Sequence, residues 1–127
     1  MNVALDTNAY SDFMRGVLER VRVVQTAERI YVPLIVLGEL RAGFAAGGRE
    51  AENLAILRKF LASPRVSILS PDEVTTEFYA RTFVRLRSKG VTIPMNDLWI
   101  AALALQHDLD VCSSDAHFAQ VEGLRLC

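Results

Sequence analysis

Asp6, Glu39, Asp97 and Asp115 are spread over nearly the whole chain, and each stands at the end of an apolar segment or beside another polar residue. Asp6 closes Val3-Ala4-Leu5, and Glu39 is the only acid between Pro33 and Gly43. Asp97 opens the apolar stretch Leu98 to Leu105, and Asp115 follows Val111-Cys112-Ser113-Ser114. A solvated face would interleave its acids with Lys and Arg on a helical or alternating period, and these four do not follow one. Carboxylates gathered at one place repel, so a bound divalent cation or a raised pKa has to resolve the charge. Oxygen-only donors suit Mg2+ or Mn2+, and with no His or Cys at matching positions zinc is disfavoured. Such a cation polarises a phosphoryl oxygen and lowers the pKa of a water, which is the chemistry of phosphodiester hydrolysis without a covalent intermediate.

Each acid also has a local structural use to set against that chemistry. Asp6 could cap the helix that follows it, and Asp97 another, although Asn96 is an equally good cap. Glu39 sits in an otherwise apolar helix, where a carboxylate must be paired or functional; Arg41, two residues on, points to a different face. Asp115 lies in a Ser-Ser-Asp turn, a common local hydrogen-bonding motif. Asn8 and Ser113, and similarly Thr7, flank the acids closely enough to orient a carboxylate or a water. His107 and His117 read as helix-end or surface residues. Trp99 reads as core. Arg81, Arg85 and Lys89 recur every fourth residue, a basic stripe that is either a solvated face or a contact for a phosphate backbone.

The elements that must position these groups alternate. Asn2 to Asp6 has the run of a buried strand, with helices expected over Ala9 to Arg15 and Val17 to Glu28. Ile30 to Pro33 is β-branched and aromatic, hence a second strand. Leu34 to Ala46 is apolar nearly all round and reads as a helix buried on several sides, stopped by Gly47-Gly48. Arg49 to Ala62 is an amphipathic helix, and Val66 to Leu69 a third strand. Ser70-Pro71-Asp72-Glu73 supplies a hydroxyl cap and a first-turn proline for a helix running to Ser88. Helix is expected again over Asn96 to His107, strand over Asp110 to Ser113, a short helix over Ala116 to Gln120, and a last strand over Leu124 to Leu126. Strand and helix in alternation predict an α/β, Rossmann-like three-layer sandwich with a central, largely parallel sheet of four or five strands. In such sheets ligand groups gather at the carboxyl ends of the strands, where all four acids can converge on one cleft.

At 127 residues and 51% hydrophobic, the chain suits one domain, residues 1–127, with a sizeable core. Of its 15 acids, setting aside these four leaves 11 against 14 Lys and Arg, a mildly basic remainder compatible with phosphate contacts. Cys112 and Cys127 show no CxxC spacing and read as free thiols in a reducing cytosol. Without a basic leader or an apolar run near about 18 residues, a soluble, cytoplasmic protein with no membrane partner is expected.

Four segments taken together, Leu5-Asp6-Thr7-Asn8, Gly38-Glu39-Leu40, Pro94 to Ala102 and Ser113-Ser114-Asp115-Ala116-His117-Phe118, resemble the PIN-domain ribonucleases, specifically the toxin members of VapBC-type toxin–antitoxin systems. The resemblance covers essentially the whole chain. It implies Mg2+- or Mn2+-dependent endonucleolytic cleavage of single-stranded or looped RNA. Asp6 and Asp97 would be metal ligands, Glu39 would complete the shell or orient the water, and Asp115 would act directly or through a water, with Ser113 where the family has Ser or Thr. It further implies a small antitoxin reaching toward the acidic cleft, and a homodimer or toxin–antitoxin hetero-oligomer. Two other readings compete. In one, the cleft is a non-catalytic docking site for a basic partner peptide; in the other, His107 and His117 cleave RNA without metal.

Overall fold

The computed structural model describes all residues, Met1–Cys127. Its sheet has four parallel strands, β1 (Asn2–Leu5), β2 (Arg29–Pro33), β3 (Val66–Leu69) and β4 (Asp110–Cys112), in the order β3-β2-β1-β4. Ala4 pairs with Tyr31 on one side and Val111 on the other, which makes β1 a central strand. Successive strand residues point to opposite faces. Val3, Ala4 and Leu5 are nonetheless all essentially inaccessible, so helices cover both faces of the sheet. This is the three-layer α/β sandwich expected.

Each parallel pairing needs a crossover, and pairs of helices supply them. Helices α1 (Thr7–Met14) and α2 (Leu18–Thr26) join β1 to β2; α3 (Leu34–Ala46) and α4 (Glu50–Leu61) join β2 to β3; α5 (Glu73–Ser88) and α6 (Met95–His107) join β3 to β4. The chain thus steps outward from β1 to β3 and then returns to the other side of β1. The reversal falls between β1 and β4, and a crevice opens at the carboxyl ends of strands where the order switches. A core of 22 buried residues from the sheet and its helices, Phe118 among them, lies beneath that crevice. No helix is long and apolar enough to cross a membrane.

Three expectations are corrected. Helix α3 buries only Val36, Leu37 and Leu40, and Leu34 is 46% exposed, so its apolar circumference is covered along one stripe rather than on several sides. The cap of α5 is Asp72, not Ser70: its carboxylate accepts the Thr75 N–H at 3.0 Å while Thr75 Oγ1 accepts the Asp72 N–H at 2.9 Å, a reciprocal capping box. The Thr75 hydroxyl, fully buried, also donates to Gln106 Oε1 at 2.6 Å, which ties α5 to α6. The C-terminal segment makes only a single parallel bridge, Leu126 to Val111, in place of a fifth strand.

That segment is nevertheless anchored, and the cysteines are not free: Cys112 and Cys127 form a disulfide with their Cα atoms 5.0 Å apart. Neither cysteine carries a local signal for pairing. They meet because the chain end runs beside β4, with the Cys127 N–H on the Val111 carbonyl at 3.1 Å and Arg125 donating to Asp108 and Asp110 at 2.7 Å each. The two cysteines are 15 residues apart in sequence. Cross-linking a loop of that size stabilises a fold by about 3 kcal/mol. Denaturant unfolding of the oxidised and dithiothreitol-reduced protein should differ by roughly that amount, and Cys127→Ser should match the reduced form. Coincident transitions would mean that the bond constrains nothing.

Candidate active site

Asp6 is the first residue after β1, in extended backbone (φ −80°, ψ 177°) as the N-cap of α1. Its Oδ1 accepts the Ala9 N–H at 2.7 Å, and its Oδ2 accepts the Ser113 hydroxyl, which stands at the end of neighbouring β4. The capping role foreseen for Asp6 and its place at the crevice therefore coexist. Only 5% of the residue is exposed. Burial pushes its carboxyl above the usual value, with the Asp97 charge adding, while the Ser113 and Ala9 hydrogen bonds pull the other way.

Asp97 is the third residue of α6, and the cap of that helix is Pro94. Neither Asn96 nor Asp97 makes a capping hydrogen bond there, which leaves the Asp97 carboxylate for the crevice. The first turn is the positive end of the helix dipole, a favourable place for a carboxylate. Even so, desolvation raises the Asp97 pKa, and the charges of Asp115 and Glu39 raise it further against the lowering effect of His117.

Asp115 caps a single 3-10 turn, Ala116–Gln120, where a short helix was expected. Its Oδ1 accepts the His117 N–H at 3.0 Å, and its own N–H donates to Ser113 Oγ at 2.9 Å. Ser113 Oγ thus contacts the Asp6 carboxylate and the Asp115 backbone at once, although Ser113 is not itself among the residues that line the cleft. Glu39 is exposed on α3, and its Oε1 accepts the Thr7 hydroxyl at 2.9 Å. A buried acid had been expected here; the open flank of α3 leaves Glu39 in solvent, so burial alone does not force a partner on it.

The four acids line one cleft of about 500 Å³, together with Thr7, Asn8 and His117 and with Pro94, Met95, Asn96 and Ile100. No Lys or Arg is among the lining residues. The basic stripe stands apart: Arg81 lies over the Phe78 ring at 4.9 Å, Arg85 is exposed on the same helix, and Lys89 donates to the Gln120 carbonyl at 3.2 Å. Trp99 is half-buried and packs on Tyr79 with ring centroids 4.4 Å apart.

His117, expected at a helix end or on the surface, stands among the acids instead. Its Nδ1 lies 2.8 Å from Asp97 Oδ2 and 2.8 Å from Asp115 Oδ1. Flanked by two acceptor-only carboxylates, Nδ1 carries the proton and donates to both. The hydrogen bond to Asp97 raises the imidazole pKa above the ordinary histidine value, and the Asp115 charge adds to it. Ligand atoms of Asp97, Asp115 and His117 all fall within 4.8 Å of one another, close enough to share one metal ion. The expectation that no histidine accompanies the acids is thereby overturned. The available signal was the Asp-Ala-His spacing, which puts the backbone N–H of the residue two after a turn cap on the cap's carboxylate. His107, by contrast, is exposed at the end of α6.

Donor chemistry fits a divalent cation: four carboxylates and one imidazole line the cleft, with no Lys or Arg among them. Residues 3–124 match the family model of the PIN domain. Ribonuclease VapC4 of Mycobacterium tuberculosis is 36% identical over 96 residues, covering 75% of this chain and 73% of that protein. Among solved structures, the DNA-bound VapBC of Salmonella typhimurium superposes with a TM-score of 0.87 at 25% identity, over 100% of this chain and 97% of that one. VapBC-5 of Mycobacterium tuberculosis, a member of the VapBC family of toxin–antitoxin systems, gives a TM-score of 0.75 at 29% identity over 98% of both chains.

Proposed function

The chain belongs to the PIN-domain family and, within it, to the VapC ribonucleases, and from that membership we propose that its acidic cleft hydrolyses RNA phosphodiesters as the toxin of a toxin–antitoxin pair. The observation that carries the reading is the cleft itself, four carboxylates from four separate segments with no Lys or Arg among its lining residues. Asp6, Asp97 and Asp115 would hold Mg2+ or Mn2+, and Glu39 would complete the set or orient the attacking water. When bound, the cation supplies a Lewis acid for a phosphoryl oxygen and lowers the pKa of a water. The protein's own part is to hold charge in place beforehand. Ser113 and the Ala9 N–H fix both Asp6 oxygens, Thr7 fixes one oxygen of Glu39, and His117 draws Asp97 and Asp115 together. Groups so held need little reorganisation when the reaction begins.

The same acidic lining suits a basic segment of a small antitoxin, which would neutralise the cleft by occupying it. Val84 and Leu18, 62% and 60% exposed on α5 and α2, are apolar surface of the kind a homodimer or an antitoxin would cover.

Purified protein incubated with a mixture of tRNA, ribosomal RNA and messenger RNA should cut at least one of them in the presence of Mg2+ or Mn2+, with cleavage abolished by EDTA and restored by added cation. Cleavage that survives EDTA and leaves a 2′,3′-cyclic phosphate would transfer the reaction to histidine acid–base chemistry. An absence of cleavage, with binding of a basic peptide that Asp6→Asn weakens, would make the cleft a docking site only.

A further inference from the structure

We propose that His117 is a nitrogen ligand of the cleft's cation and that it gives the site a preference for Mn2+ over Mg2+. The inference rests on the cation-dependent nuclease reading above and concerns which ion that site selects.

Its basis is the position of one atom. Neighbouring ligands of an octahedral ion with bonds of about 2.1 Å stand roughly 3.0 Å apart. His117 Nδ1 lies 2.8 Å from Asp97 Oδ2 and 2.8 Å from Asp115 Oδ1, so both separations from the nitrogen already have that spacing, and ligand atoms of all three residues fall within 4.8 Å of one another. The imidazole is also reachable, with its side chain 42% exposed at the cleft mouth while Asp97 and Asp115 are 18% and 27% exposed beneath it. It is held by more than these contacts. Its backbone N–H is on Asp115 Oδ1 at 3.0 Å, and the next residue, Phe118, is fully buried and fixes the turn to the core. The backbone that carries the ring is thereby fixed beside the two carboxylates.

A purely carboxylate site treats Mg2+ and Mn2+ alike as hard ions, whereas imidazole favours first-row transition metals. Mn2+ is the ion that satisfies both parts of this donor set. On binding, Nδ1 gives up its proton to solvent and offers its lone pair. A histidine acting only as a bridge between two acids would instead position oxygens for either ion equally.

The test is equilibrium binding of each ion to the full chain without RNA. Isothermal titration with MnCl2 and MgCl2 should show tighter Mn2+ binding by the wild type. In His117→Gln, whose amide can still bridge the two acids, Mn2+ affinity should fall about tenfold and Mg2+ affinity change less than about twofold. Electron spin-echo envelope modulation of Mn2+ bound to the wild type should show 14N coupling from the imidazole, absent in the variant. Lack of 14N coupling in the wild type overturns the proposal whether or not the variant folds. So does an equal loss of both ions in His117→Gln, which would make the residue a bridge. If the wild type binds neither ion, the cation-dependent reading of the cleft falls together with this inference; if it binds both with no nitrogen coupling, only this inference falls.

Discussion

Asp97→Asn removes RNA cleavage and at the same time makes the metal-free protein more stable. A cation in such a site stabilises several kcal/mol of developing charge, and each ~1.4 kcal/mol is tenfold in rate, so loss of one ligand should slow cleavage at least about 100-fold. The gain in stability follows from the direction in which Asp97 is shifted. Burial and the charges of Asp115 and Glu39 hold its folded carboxyl above the ordinary 3.8. A raised acid binds its proton more tightly in the folded chain than in the unfolded one, so stability falls as pH rises through 3.8 and stays lowered above the raised folded value. At neutral pH the ionised wild type carries that penalty and the asparagine variant does not. Thermal unfolding in EDTA at pH 7 should therefore place Asp97→Asn above the wild type, with the gap closing as the pH is lowered below 3.8. Saturating Mn2+ should reverse the order, because only a protein that holds the ion gains its binding free energy. A variant that is less stable in EDTA would mean that the Asp97–His117 hydrogen bond outweighs the repulsion.

Residues legible in the sequence were those whose position is set by a single element. Asp6 and Asp97 follow directly from where β1 ends and α6 begins, and parallel α/β topology then requires both to face the same crevice. Glu39 was legible as a position but not as an environment: which face of α3 is covered depends on where α1, α4 and α6 pack, and a helix apolar all round does not say. The disulfide and His117 were missed for a common reason. Each depends on the C-terminal segment turning back beside β4, and that path is set by long-range contacts, Arg125 with Asp108 and Asp110 and Leu126 with Val111, rather than by any local pattern. The cap of α5 was misjudged by two residues because Ser70 and Asp72 are equally good caps in isolation; the pairing of Thr75 with Gln106 on the neighbouring helix decides between them.

Phe118→Ala should be the most damaging single substitution outside the acids, and it should damage the site through the core. The ring is fully buried and heads the fully buried side chains by volume. Truncating a phenylalanine in such a place costs about 3–5 kcal/mol, the transfer free energy of the ring plus a cavity that the surroundings fill only in part. Domains of this size have total stabilities of about 5–15 kcal/mol, so the variant should unfold at much lower urea concentration with an unchanged slope. The consequence for the cleft follows from the shortness of the turn. Asp115 caps and His117 belongs to the five-residue 3-10 segment that carries Phe118, and that ring is the part of it seated in the core. With the ring gone, both side chains should lose their fixed relation to Asp97, and cation affinity should fall in the fraction that remains folded. Phe118→Leu, which keeps most of the apolar volume, should recover stability and cation binding together. Recovery of stability without recovery of binding would mean that the turn is positioned by its backbone hydrogen bonds and not by the packing beneath it.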